Sequence, residues 1–253
     1  MAVAAKKRKQ AKPAPPPMPL AITYLRESRD FATGFLFIVP LLVGYEVGIA
    51  LLRPDVVNWA HGIIRLVFHT VGWAEPVLFA GLVAMLVVLA LSRAERLRID
   101  AELFGLMLAE SVVYASALGL VCSAVTRRLV PMGMLCGCPS GGGSLALDVV
   151  LSVGAGVYEE LLFRVALLGA LYYVLKRWVL KKPSAGMFVA IVVSSLVFSL
   201  CHHIGPYGDP WEAGRMVYRF VMGVAFAAIY IYRGLGIVVY THALYDVIVS
   251  LGL

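Results

Sequence analysis

Three apolar stretches of this sequence carry ionisable side chains at helical spacing. Tyr158-Glu159-Glu160-Leu161-Leu162-Phe163-Arg164 sets two carboxylates and a guanidinium between the apolar runs 144–156 and 165–175. Phe198 and His202 are four residues apart, with His203 next to them, and so are His242 and Asp246. Residues four apart share one face of an α-helix. Glu160 and Arg164 can therefore pair and neutralise each other. Glu159 points about 100° away from that pair, and the residue four beyond it is Phe163. A charge at mid-membrane costs roughly 2.5–3.5 kcal/mol on insertion scales, so three in one stretch require a reason. Intramembrane ionisable residues usually face the bundle interior. Two carboxylates and two imidazoles facing one interior point describe either a water-activating site or a metal site.

Taken singly, each pair has a packing explanation. Glu160 and Arg164 can be a buried ion pair that holds the bundle together. His202 can be a hydrogen-bonded core residue, His203 a polar cap at the membrane surface, and His242 with Asp246 a link between helix turns. Ser194, Ser195 and Ser199 read as small packing residues between helices. All three pairs on separate spans are much harder to explain by packing alone. The sequence has no G-x-S-x-G for a serine nucleophile and no H-E-x-x-H zinc signature.

The elements that must position these residues are membrane helices. The chain has 253 residues, 61% hydrophobic and 15% charged, with mean hydropathy +0.87. That composition excludes an ordinary soluble domain. The expected fold is all-α: one polytopic bundle of about seven spans at 33–52, 76–91, 104–122, 144–175, 185–203, 216–232 and 235–253. The segment 56–73 carries Trp59, His61, Arg65, His69 and Trp73 among aliphatics, and reads as amphipathic and interfacial. Glu46 and Glu110 are further carboxylates inside expected spans; Glu46 is placed near the outer interface. Span 144–175 exceeds the roughly 20 residues a crossing needs, so it is expected to tilt, kink or protrude.

Residues 1–30 read as a disordered, basic and Pro-rich cytoplasmic tail, and 31–253 as a single transmembrane domain. The first apolar run is too long for a cleaved signal peptide and reads as a signal anchor. Net charge is +7. Its clusters, Lys6 to Lys12, Arg93 to Arg98, Lys176 to Lys182 and Arg233, fall on one side of a seven-span count. They read as topology signals that put the N-terminus in the cytoplasm, not as a nucleic-acid surface. Cys122 and Cys201 read as core thiols. Cys136 and Cys138, one residue apart in a Gly/Pro-rich loop at 129–143, complete no disulfide or zinc pattern.

The order Glu159-Glu160-x-x-x-Arg164, then Phe198-x-x-x-His202, then His242-x-x-x-Asp246 resembles the CPBP intramembrane proteases. These are also called the CAAX protease and bacteriocin-processing (Abi) family. Any one motif is weak; three in this order on successive spans, over about 145–250, is a strong signal. The resemblance implies peptide-bond hydrolysis within the bilayer, on a membrane-anchored protein or peptide. It makes Glu159 the general base on a water that His202 holds, and His242 the oxyanion stabiliser, assisted by residue 246. Glu160 and Arg164 would fix the helix, with Phe198 as structural support. It leaves a zinc alternative open, with Glu159, Glu160, His202 and His242 as ligands. Eukaryotic prenyl-protein processing members carry Asn where this chain has Asp246. Asn can donate to an oxyanion and ionised Asp cannot, so the role of residue 246 stays open between donor, orienter of His242 and metal support. The same resemblance points to a bacterial inner (plasma) membrane. Two other classes remain: a non-enzymatic family member acting as immunity factor or scaffold, and a proton-coupled carrier, for which no paired discontinuous segments are visible.

Overall fold

The computed structural model describes residues 20–52, 59–63, 84, 88, 100–130, 144–204 and 208–252. Among these residues every regular element is a helix. α1 (Leu20–Ser28) leads into α2 (Phe31–Leu52), and α3 is Ala101–Leu129. α4 runs over 145–179 and changes its winding on the way. Leu145–Gly154 and Gly169–Val174 are α-helical, whereas Ala155–Glu159, Leu161–Leu168 and Leu175–Val179 are π-helical. α5 (Pro183–Cys201), α6 (Ala213–Arg233) and α7 (Leu235–Ser250) follow.

The hydropathic expectation of an all-helical membrane bundle is what the chain forms. α2, α3, α5 and α6 are each long and apolar enough to cross a membrane. α4 is apolar but broken into α and π segments, and α7 is shorter. The expected span at 76–91 apart from residues 84 and 88, the tail at 1–19 and the cysteines at 136 and 138 lie outside the described residues.

Local sequence sets the helix ends. The Asp30 carboxylate accepts from the N–H groups of Ala32 and Thr33 at 2.9 and 3.1 Å, opening α2. Asp100 does the same for Glu102 at 3.1 Å, opening α3. Pro183 starts α5, where its missing N–H costs nothing. Gly234 alone joins α6 to α7 at φ 88°, a conformation that disfavours a β-carbon.

α7 is the centre. It packs against α2, α3, α4 and α6, and Leu235, Gly236, Ile237, Val238 and Val239 are all buried. A helix end that is apolar all round belongs inside. Phe35, Ile38, Leu42 and Tyr45 of α2 meet Val157 and Tyr158 of α4 and Val239 of α7 in one core. Where α4 crosses α7, Gly156 leaves no room: a β-carbon there would lie 2.7 Å from both Cβ and N of Ala243. Gly156→Val is expected to push these helices apart and to cost at least about 1–3 kcal/mol, the usual range for overpacking. A melting curve in detergent checks this, and a parental melting temperature would mean that the crossing can open without penalty.

Several expectations change. The tail boundary at residue 30 falls inside ordered structure, since α1 is helical and docked. Tyr24 donates its hydroxyl to Glu110, and Arg233 grips the same carboxylate at 2.5 and 2.7 Å. Arg233 also donates to Ser28 Oγ at 3.1 Å, and Arg29 to the Ile231 carbonyl at 3.2 Å. Glu110 is thus the bidentate partner of Arg233. α3 extends beyond the expected 104–122 at both ends, because Asp100 caps it and Arg127 and Arg128 suit its C-terminal dipole. Within the segment expected at the interface, residues 59–63 are helical and His61 is buried. His203 is not a surface cap either. It is buried, and its Nδ1–H donates to the carbonyls of Asp209 and Pro210 at 3.1 and 3.0 Å while Trp211 stacks on the ring. Glu46 does not simply face the interface: Tyr158 donates its hydroxyl to it.

Candidate active site

Each of the three motifs sits on its own helix, and the fold brings them to one place. α4 carries Glu159, Glu160 and Arg164 across the junction of two π-helical turns. Wide turns of this kind are rare and recur at functional sites, where they re-aim side chains relative to a regular helix. α5 ends at Cys201 and presents His202 just beyond its last turn. α7 presents His242 and, one turn on, Asp246.

Glu159 Oε2 lies 3.5 Å from Nε2 of His202 and 3.9 Å from Nε2 of His242. The carboxylate is buried, at 3% exposure. Nδ1 of His202 is 2.7 Å from the Phe198 carbonyl. A carbonyl only accepts, so Nδ1 carries a hydrogen, and Nε2 is the atom turned toward Glu159. The Phe198-x-x-x-His202 spacing therefore acts through the backbone of Phe198. The ring of Phe198 also meets the imidazole, with centroids 4.7 Å apart.

His242 is held from the other side. Its Nδ1 is 2.8 Å from Glu160 Oε1, and Arg164 Nε is 3.1 Å from Glu160 Oε2. Glu160 thus bridges a guanidinium and an imidazole, buried completely. Arg164 lies over the Phe198 ring at 4.7 Å and donates to the Gly223 carbonyl at 3.4 Å. Phe226 stacks on the far face of His242, 4.3 Å between centroids. Asp246 Oδ2 is 3.5 Å from Nε2 of His242, and its side chain is 31% exposed, so it stands at the rim.

Glu160 does not fit as a member of the four-residue zinc set. Both Glu160 oxygens face Arg164 and Nδ1 of His242, away from the ring edge where Glu159 lies. Among the described residues no three His, Cys, Asp or Glu side chains are grouped to hold a metal.

All seven residues singled out from the sequence, Glu159, Glu160, Arg164, Phe198, His202, His242 and Asp246, belong to this one cluster. Of the serines, Ser199 donates to the Met216 carbonyl at 2.7 Å and Ser194 to that of Ile191 at 3.2 Å, which suits packing positions. Sequence reasoning missed a second layer. Tyr45 and His61 are hydrogen-bonded at 2.8 Å, His61 stacks on Tyr158, and Trp59 reaches Phe163 and His202. Only Tyr158 had a local signal, as the neighbour of Glu159.

Residues 142–248 match the family model described as type II CAAX prenyl endopeptidase Rce1-like. All three motifs fall within that stretch. No curated protein and no solved structure matches the chain.

Proposed function

From the match of residues 142–248 to the Rce1-like CAAX protease family model, we propose that this chain is an intramembrane endopeptidase that hydrolyses a peptide bond with a water activated by Glu159. The observation that carries the reading is the placement of Glu159 Oε2 between the Nε2 atoms of His202 and His242, each from a different helix. Glu159 takes the proton of the water as it attacks the scissile carbonyl carbon, and gives that proton to the leaving amine nitrogen as the C–N bond breaks. His202, its Nδ1–H committed to the Phe198 carbonyl, accepts the second hydrogen bond of that water and aims its lone pair.

His242 stabilises the oxyanion. The role requires a hydrogen on Nε2, and Glu160 supplies the condition for it. Glu160 and Nδ1 share one proton at 2.8 Å, so an Nε2–H is compatible either with a protonated ring or with a proton resting on Glu160. Asp246, 3.5 Å from Nε2, orients that N–H before substrate arrives. This choice among the open roles for residue 246 follows from its distance and its rim position. Arg164 holds Glu160, and so acts on the chemistry only through other groups.

The geometry also bears on the substrate. α5 starts next to Lys181 and Lys182, and its 19 residues span about 28 Å before His202. That is close to the thickness of a hydrocarbon core. α6 runs back antiparallel to α5, with Ser199 at Met216, Ser195 at Gly223 and Ala190 at Ala227, so the α6–α7 turn lies at the lysine end, and there Arg29 and Ser28 contact Ile231 and Arg233. With the basic face cytoplasmic in an inner (plasma) membrane, the site lies toward the outer face. The substrate class that suits it is the membrane-anchored tail of an exported protein.

Reconstitution into proteoliposomes tests the roles. His202→Ala and His242→Ala are each expected to lower peptide cleavage at least about 100-fold, in the range for removal of a general acid–base or oxyanion partner. Asp246→Asn retains a hydrogen-bonding group at the rim and is expected to stay within about tenfold of the parent, the scale of one neutral hydrogen bond. Full activity in His242→Ala would remove the oxyanion role. Comparison of membrane peptides that accumulate in cells carrying Glu159→Ala with those of the parent identifies the substrate.

A further inference from the structure

His61 clamps the helical residues 59–63 to the bundle. It is hydrogen-bonded to the Tyr45 hydroxyl at 2.8 Å, and its ring lies flat on Tyr158 with centroids 4.6 Å apart. Tyr158 itself is fixed to Glu46 and directly precedes Glu159. The clamp delivers Trp59, two residues earlier, against the site. Its ring is 5.7 Å from Phe163 and 6.1 Å, edge-on, from His202. Phe163 meets Phe198, and Phe198 meets His202, so Trp59 closes an aromatic wall around the imidazole. This residue lies outside the stretch that matches the family model.

The indole Nε1 is buried in that wall and has no hydrogen-bond partner among the described residues. A buried N–H without an acceptor is costly and rare, and an indole can only donate. An unanswered donor on a ring that packs against His202 implies an acceptor that arrives with the ligand. A peptide entering a membrane-embedded site brings such acceptors. Its backbone carbonyls lose their waters there and must be satisfied by the protein. An indole N–H meets that need without introducing another charge.

We propose that Trp59 is a substrate-contacting residue, its indole N–H donating to a backbone carbonyl oxygen of the bound peptide beside the scissile bond. This rests on the hydrolase reading above. It gives the segment at 59–63 the task of registering the peptide against Glu159 and His202.

The probe is an internally quenched synthetic copy of a membrane peptide that accumulates in cells carrying Glu159→Ala, prepared also with single carbonyls replaced by thioamides, which accept more weakly. Trp59→Phe keeps an aromatic ring and removes the N–H. It is expected to raise KM about tenfold and leave kcat within about threefold, as for loss of one hydrogen bond to bound substrate. One thioamide next to the cleaved bond should slow the parent protein and leave Trp59→Phe indifferent. An unchanged KM, an equal thioamide penalty in both proteins, or a loss of kcat accompanied by a lowered melting temperature overturns the proposal. Glu159→Gln run in parallel separates the two readings. If it cleaves, the base assignment fails. If it is inactive while Trp59→Phe matches the parent, only the contact at Trp59 is lost.

Discussion

Glu159→Gln is expected to abolish hydrolysis, lowering the rate by about 10²–10⁴-fold, the usual contribution of a positioned general base. The two side chains have the same shape, so the helix crossing at Gly156 and the core around Tyr158 are undisturbed. What changes is chemistry at one atom. Oε2 faces the Nε2 atoms of His202 and His242 at 3.5 and 3.9 Å, and a carboxylate there can receive a proton from the attacking water. An amide cannot. An amide nitrogen turned toward His202 would also donate to its lone pair and take the place that the water needs. At 3% exposure bulk solvent offers no substitute base. Removing a buried charge relieves desolvation, so the variant is expected to be at least as stable as the parent. Cleavage in proteoliposomes and a melting curve give the two readouts. Parental cleavage by Glu159→Gln would sink the proposed base.

Much of this site was legible because helical spacing survives burial. Glu160 and Arg164 pair as their i,i+4 positions predict, and the three polar helices do face one interior point. The π-helical turns of α4 were not legible, because a wide turn has no hydropathic signature. An apolar run too long for one crossing was the only trace of them. The use of Phe198 was also hidden. Its contribution to His202 is a backbone carbonyl, which any residue could offer, together with a ring that Arg164 covers. Trp59 and His61 were misread for a different reason. An alternation of aromatic, imidazole and aliphatic residues fits a membrane interface as well as it fits a polar seam between helices. Only the long-range contacts with Tyr45, Tyr158 and Phe163 separate the two. Likewise α1 is short and follows a basic, Pro-rich run; its docking depends on Glu110 and Arg233, residues 123 apart in the chain.

Arg164→Met is expected to be the most damaging single change to stability, costing about 3–5 kcal/mol, the range for breaking a buried ion pair from one side. Arg164 and Glu160 are 1% and 0% exposed. Loss of the guanidinium leaves a carboxylate in the apolar interior whose remaining partner is the imidazole of His242. Arg164→Lys should not rescue it. A lysine supplies a compact charge but neither the planar contact over Phe198 at 4.7 Å nor the reach to the Gly223 carbonyl. The double variant Glu160→Gln/Arg164→Met removes both charges together and is expected to recover most of the lost stability. Its activity should not return, because His242 Nδ1 then faces a neutral amide at 2.8 Å in place of the carboxylate that sets its proton. Melting temperature and cleavage rate thus part company in the double variant. If stability and activity return together, Glu160 serves only to neutralise Arg164, and the link from Arg164 through Glu160 to the oxyanion position is wrong.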